Sequence, residues 1–327
     1  MLNQKGRIDQ VRLWLYLVLS ILMVAIVRWA PNHVFAQATS PVTKINEAAA
    51  KADITVQALR GDISVLMGSG GNIAVFTSPE GKLLVDAGIA VSRPKIQAAL
   101  DGIGQTPLKY VINTHWHWDH TDGNEWVHNQ GATIIAQENV LKRLSETTRV
   151  EDWNYTFQPW PEGGRPTVTF KSEKMLRFDG EAVLMKNFGP GHTDGDAFVY
   201  FPKADVLVLG DIFWNGIYPF IDNAAGGGID GMIRWANAAL DLATDKTIIV
   251  PGHGPVGNKA QLREFRDMLV TIRNNVSDLK KQGKTIDEVI AAKPTADYDS
   301  KWGNFVINPA FFTHLVYAGL EAPLVKR

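Results

Sequence analysis

Short runs of apolar residues recur along the chain, separated by turns rich in glycine and polar residues. From residue 53 onward, runs at 54–59, 63–67, 73–77 and 83–85 predict β-strands, punctuated by Arg60-Gly61-Asp62, Gly68-Ser69-Gly70-Gly71 and Pro79-Glu80-Gly81. Gly68-Ser69-Gly70 has a strand on each side and no helix behind it, so it reads as a hairpin turn rather than a phosphate-binding loop. A helix-period stretch at 93–100 leads into an apolar strand at 110–112. The second half repeats the style, with strands predicted at 168–170, 182–186, 197–201 and 206–209, a helix at 231–242 and a strand at 247–250. Strand runs followed by helices, twice over, predict an α+β layered fold with two sheets in the middle.

Three other stretches refine this outline. Leu262, Phe265, Leu269, Ile272, Val276 and Leu279 are spaced alternately by three and four, which gives a helix one apolar seam. The seam is under three heptads long, so it suits a helix on the outer face of a sheet better than a coiled coil. Residues 308–320 predict a last helix with Pro309 in its first turn. Segment 149–166 has no period and carries Trp153, Tyr155, Phe157 and Trp160, as expected of a lid or of a flap packed on the core. Gly226-Gly227-Gly228 predicts a turn before a helix capped by Asp230.

The N-terminus reads as an address. Lys5, Arg7 and Arg12 precede an apolar run at 13–27, and Ala36-Gln37-Ala38 follows, the order of a secretory signal peptide. That run is shorter than the roughly 20 residues of a spanning helix, which favours cleavage over an anchor, although Arg28 and Trp29 resemble interface residues. The expected organisation is a signal peptide at 1–38 and a single domain with a C-terminal helical extension at 39–327. Localisation is then exported, periplasmic or secreted, with no stable membrane insertion once the leader is removed.

Composition narrows the chemistry. The 327 residues are 45% hydrophobic and 20% charged, which suits a globular chain. Formal net charge is −1, and loss of 1–38, with four basic residues and Asp9, makes it −4. Phosphate neutralisation needs a basic excess, so no nucleic-acid partner is expected. There is no cysteine, which removes disulfides, thiolate nucleophiles, iron–sulfur clusters and sulfur-ligated zinc. Any metal must rest on His, Asp and Glu, and the chain has only 8 His.

Four potential ligands fall within six positions after the 110–112 strand, in His115-Trp116-His117-Trp118-Asp119-His120. His115 and His117 alternate and point the same way while the chain is extended. A turn near Trp118 swings Asp119 and His120 toward them. Crowding imidazoles and carboxylates this closely is costly unless a divalent cation compensates. His192, in Gly189-Pro190-Gly191-His192-Thr193, and His253, in Pro251-Gly252-His253-Gly254, each follow a strand with Gly and Pro that let the backbone turn. Asp211, in Leu209-Gly210-Asp211, ends another apolar strand. His128 and His314 have no such setting and read as structural.

These motifs, in this order, resemble those of the metallo-β-lactamase superfamily over roughly residues 53–280. The resemblance implies a four-layer αβ/βα sandwich with the site at one edge between the sheets. It implies one zinc on His115, His117 and His192, a second on Asp119, His120 and His253, and Asp211 bridging both. Asp86, in Leu84-Val85-Asp86-Ala87-Gly88, matches a position that supports the site by hydrogen bonding. All ligands are N or O, which suits Zn(II) and also admits Fe or Mn.

The implied activity is hydrolysis of a small-molecule ester, thioester, lactone or lactam by metal-activated hydroxide, with water or Asp119 protonating the leaving group. Cysteine-bearing β-lactamases have Cys where Asp211 stands and Lys where Trp214 stands. The chain is therefore more similar to the glyoxalase-II-like dinuclear branch, with β-lactamase as the alternative enzyme. An accessory periplasmic metal- or ligand-binding protein on the same scaffold is the alternative outside catalysis. Trp116, Trp118 and Trp214 flank the ligands, and either line a pocket or pack beneath the metal loop.

Overall fold

The computed structural model describes residues 40–68 and 70–320; the leader expected at 1–38, Ser69 and residues 321–327 lie outside them. One sheet has seven strands in the order β1 (Thr55–Ala58), β2 (Ile63–Met67), β3 (Ile73–Ser78), β4 (Gly81–Val85), β5 (Leu108–Ile112), β6 (Thr133–Gln137) and β9 (Val168–Phe170). A two-stranded ribbon, β7 (Thr148–Val150) with β8 (Tyr155–Phe157), lies between β6 and β9 in the chain. The second sheet has six strands: β10 (Glu173–Phe178), β11 (Glu181–Lys186), β12 (Phe198–Phe201), β13 (Val206–Trp214), β14 (Ile248–His253) and β15 (Gly257–Asn258).

Alternation along the strands builds the layers. In β4, Leu83 and Val85 face the core between the sheets, while Leu84 faces outward onto Ile96 and Leu100 of helix Arg93–Ile103. In β13, Val206 and Val208 join the same inner core, while Leu207 and Leu209 join a cluster with Trp235 and Phe265. Those two residues belong to helices Ile229–Leu242 and Lys259–Lys281. The order is helix, sheet, sheet, helix: the expected α+β four-layer sandwich.

The seam at 262–279 lies on helix Lys259–Lys281, with Leu262, Phe265, Leu269, Ile272 and Val276 buried, and no coiled coil is involved. Helix Pro309–Gly319 starts with Pro in its first turn, and the Asn308 side chain accepts from Phe311 N. Segment 149–166 is a packed flap: Trp153, Phe157 and Trp160 are all buried.

Two local expectations need correction. Asp230 does not cap its helix; the helix begins at Ile229 behind Gly228, and Asp230 pairs with Arg273 Nε at 2.8 Å. A carboxylate in the first turn is electrostatically favourable there, but the neighbouring helix supplies a better partner. The strand expected to end at 209 runs on to Trp214, with register shifts around Gly210, whose φ is +52°. That irregularity turns Asp211 toward the site without ending the strand.

Topology brings the site residues to one edge. β4 and β5 are parallel, so Asp86 after β4 and His115 after β5 leave the first sheet at the same end. β13 and β14 are also parallel, which brings Asp211 and His253 to one end of the second sheet, where Trp214 pairs with His253.

Candidate metal centre

His115 and His117 stand in the bend between β5 and the one-turn helix Trp118–Thr121, which carries Asp119 and His120. His192 comes from the loop between β11 and β12, Asp211 from the bulge of β13, and His253 from the last residue of β14. All seven side chains are buried or nearly so. They fall into two groups, His115, His117, His192 and Asp211 in one, Asp119, His120 and His253 in the other, with the facing atoms of each group within 4.8 Å of one another.

The two oxygens of Asp211 divide between the groups. Oδ2 lies 3.4 Å from His192 Nε2 and 3.7 Å from His115 Nε2. Oδ1 lies 3.0 Å from His120 Nε2 and 3.4 Å from His253 Nε2. Asp119 Oδ2 sits 3.2 Å from His253 Nε2.

The outward-facing ring nitrogens show whether this donor set fits a cation. His192 Nδ1 donates to Phe220 O at 2.8 Å, and His120 Nδ1 to Asp86 Oδ2 at 2.8 Å. Thr114 Oγ1 donates to Asp86 Oδ2, which leaves its oxygen to accept from His115 Nδ1 at 3.0 Å. His117 Nε2 donates to Asp222 Oδ2 at 3.0 Å. Each partner fixes a tautomer that turns a bare lone pair inward. His117 Nδ1 and His192 Nε2 then face each other at 2.9 Å with no proton between them. His115 Nε2, His120 Nε2 and Asp211 Oδ1 are buried with no aligned hydrogen-bond partner. Buried lone pairs converging in this way are unfavourable by themselves and are satisfied by divalent cations, so the residues fit the group.

The electrostatics separate the two groups. Burial pulls His192 down to about 4, and burial with the neighbouring His120 holds His115 well below its ordinary value, so both are neutral and ready to ligate. Burial works in the same direction on His253, but the carboxylates of Asp211 and Asp119 outweigh it and push that ring up to about 9. His120 likewise stands well above its ordinary value, because Asp211, Asp119 and Asp86 outweigh its burial. Burial would raise Asp211, yet His253, His120 and His115 hold it well below the carboxylate range.

Close backbone approach makes glycine necessary around Asp211. A Cβ on Gly252 would lie 2.0 Å from Asp211 Oδ1, and one on Gly71 would lie 2.2 Å from the His120 ring. The glycine run at 226–228 serves the site too: a Cβ on Gly227 would lie 2.1 Å from His192 O, and Gly228 N donates to Gly191 O.

Asp86 is buried with φ +66° and accepts from Thr114 N, Thr114 Oγ1 and His120, so it orients ligands without reaching the centre itself. Trp118 and Trp214 line the cavity beside the site, and Trp214 lies 4.1 Å from His253 between ring centroids. Trp116 does not line it. Its ring is fully buried beneath the site, edge-on to His117 at 4.7 Å between ring centroids and to Phe157 at 5.5 Å. His128 bonds Ala132 O, and His314 pairs with Asp152 at the surface.

Sequence reasoning missed two carboxylates. Asp222, which holds His117, belongs to an unpatterned stretch and is found only through tertiary contact. Asp196 accepts from Thr193 N at 3.0 Å and Thr193 Oγ1 at 2.6 Å, which fixes the turn behind His192. Its place four residues after His192 was the available signal.

Residues 66–253, more than half of the chain, match the family model described as the metallo-beta-lactamase superfamily. The chain belongs to that superfamily. It is 25% identical over 258 residues to a linear primary-alkylsulfatase of Pseudomonas sp., covering 66% of this chain and 48% of the relative. A hydroxyacylglutathione hydrolase of Rhodospirillum rubrum is 27% identical over 160 residues, 48% of this chain and 52% of that one. The chain thus spans about half the length of these curated relatives.

Among solved structures, the DIM-1 metallo-beta-lactamase matches with a TM-score of 0.54 at 21% identity, over 68% of this chain and 99% of that one. The sec-alkylsulfatase Pisa1 from Pseudomonas sp. matches with 0.61 at 15% identity, over 84% and 51%. These similarities show the shared fold. The sequence relatives named above are themselves hydrolases.

Proposed function

We propose that this chain is an exported dinuclear zinc hydrolase acting on a small ester, thioester, lactone or lactam. The observation that carries the reading is Asp211, whose two oxygens each face a separate group of candidate ligands. His115, His117 and His192 would hold one cation, Asp119, His120 and His253 the other, and Asp211 both. An all-N/O donor set with this many imidazoles suits Zn(II), and Fe or Mn are the alternatives. When bound, such a pair supplies Lewis acidity at the scissile bond and acidifies a water toward neutral pH.

The chain's own residues do the rest. Asp86 and Asp222 hold His120 and His117 in orientation. Burial would raise the Asp119 carboxyl, but His120 and His253 hold it below its ordinary range and so ionised; Asp119 or water would deliver the proton to the leaving group. The apolar surroundings of the site exclude bulk water and strengthen each of these interactions.

The test is metal analysis of the leaderless protein together with a panel of esters, thioesters, lactones and lactams. An alkyl sulfate ester joins the panel because of the sulfatase relative. Two metals per chain and turnover in at least one class are expected. Less than one metal per chain, with no turnover after zinc addition, overturns the reading. Full metal occupancy without turnover would assign the accessory binding role instead. Export supplies its own readout: the secreted protein should begin at Thr39, and an intact N-terminus would make 13–27 an anchor.

A further inference from the structure

A cavity of about 360 Å³ has His117, Asp211 and His253 on its inner wall. The rest of its described lining is mostly apolar and comes from several separate stretches of chain. Helix Pro41–Lys51 gives Ile45 and Ala48, the site loops give Trp153 and Trp214, and the segment before the last helix gives Phe305 and Ile307. Apart from the candidate ligands, Lys44 is the one charged residue among the described lining, and that lining includes no Ser, Thr, Asn, Gln or Tyr.

The wall is built into the site. Trp118, between two ligands, donates its indole N–H to Asn46 Oδ1 at 2.9 Å; Ser40 Oγ donates to Trp153 O at 2.6 Å, and Ser92 Oγ to Ala49 O at 3.2 Å. Lys95 Nζ caps the carbonyl end of the helix at Lys51 and Ala52. An apolar path leads outward from His253 to Trp214, 4.1 Å away, and on to Phe305, 6.4 Å further between ring centroids. At its outer end Phe305 is 46% and Val306 43% exposed, large apolar side chains left in water at the rim.

We infer that this cavity is a subsite for a hydrocarbon chain, the acyl or alkyl tail of an amphiphilic substrate whose scissile group lies at His117, Asp211 and His253. The inference rests on the hydrolase reading and adds the substrate class to it. A sugar or a peptide placed here would bury hydroxyls or amides against a wall whose polar side chains, apart from the candidate ligands, are limited to Lys44 and the indoles, at a cost that a methylene chain does not incur. Ile45, Ala48, Trp214 and Phe305 are then the residues that set chain-length preference.

The test uses zinc-loaded protein and p-nitrophenyl acetate, butanoate, hexanoate and octanoate, with alkyl sulfates of the same lengths as a second series. Each buried methylene is worth about 0.8 kcal/mol, so kcat/KM is expected to rise about fourfold per carbon until the cavity is full. A flat or falling series in the class that turns over overturns the inference.

Binding gives a readout independent of turnover. Titration with acetate, hexanoate and octanoate, followed by tryptophan fluorescence from Trp153 and Trp214, should give a Kd that falls with length. Failure of octanoate to saturate overturns the subsite. Length-dependent binding with every substrate class silent leaves the subsite standing and sinks the hydrolase reading. Ala48→Trp should lower the octanoate-to-acetate ratio of kcat/KM at least tenfold with Tm unchanged; an unchanged ratio removes this helix from the subsite and overturns the inference.

Discussion

At the scale of residues, the centre works through the atoms that do not face it. His117 turns Nδ1 toward the centre because its Nε2 donates to Asp222, and Asp222 also accepts from Ala225 N at 2.9 Å. Asp222→Ala is expected to lower metal affinity by roughly 10–100-fold, as removal of such partners does elsewhere, and chelator competition measures it. Asp222→Asn keeps an acceptor and should recover part of the loss. His253, at about 9, carries a second proton at pH 7 in the metal-free protein and would lose it on taking up a cation. Zinc titration of stripped protein at pH 7 should therefore release protons, with affinity at this group rising as pH climbs toward 9. Calorimetry in buffers of different ionisation enthalpy counts the protons, and a count near zero would contradict the assignment. Asp119→Ala and His192→Ala should each abolish turnover and lower metal content, read by assay and elemental analysis.

Elements place these residues through backbone approach as much as through side chains. β14 passes so near the bulge of β13 that Gly252 has no room for a Cβ beside Asp211. Gly252→Ala is expected to displace Asp211, costing about 1–3 kcal/mol of stability from overpacking and most of the bound metal. Gly228→Ala is the matched control, because a Cβ there meets nothing within 4 Å. Its φ of 176° is extended backbone that alanine adopts freely. Thermal melts and metal content of the two variants make the comparison. The hairpin of β2 and β3 reaches the same place from the other sheet, where Gly71 N donates to Asp119 O and Asn72 Nδ2 holds Pro251 O and Gly254 O around His253.

Across the whole molecule, the ligands join two sheets. His115, His117, Asp119 and His120 follow the first sheet, and His192, Asp211 and His253 belong to the second. A cation bound to both adds its binding energy to the folded state alone, and no disulfide shares that role. With free zinc at about a thousand times Kd the gain is roughly 4 kcal/mol. At roughly 2 °C per kcal/mol for a chain of this size, stripping the metal should lower Tm by about 8 °C. Differential scanning calorimetry with and without chelator reads it, and an unchanged Tm would mean that the ligands do not join the two sheets energetically.

What could be read from the chain follows from what is local. Strands such as β2 and β4, the seam helix and the crowded segment from His115 to His120 each declare themselves within about a dozen residues, because periodicity and ligand spacing are properties of neighbours. The absence of cysteine fixed the ligands as N and O before any fold was known. The short pieces were less legible: β6, the ribbon of β7 and β8, and the helix Glu138–Ser145 carry too few residues for a period to stand out.

Tertiary structure decided the remainder, since each remaining point depends on residues far apart in sequence. Asp222 meets His117 across 105 positions, and a single carboxylate divides between two groups of imidazoles. Of three tryptophans alike in sequence, Trp116 went to the core while Trp118 and Trp214 went to the cavity. The cavity itself is closed by helix Pro41–Lys51 and the segment around Phe305, elements some 250 positions apart whose apolar faces carry no sign in sequence of which surface they will share.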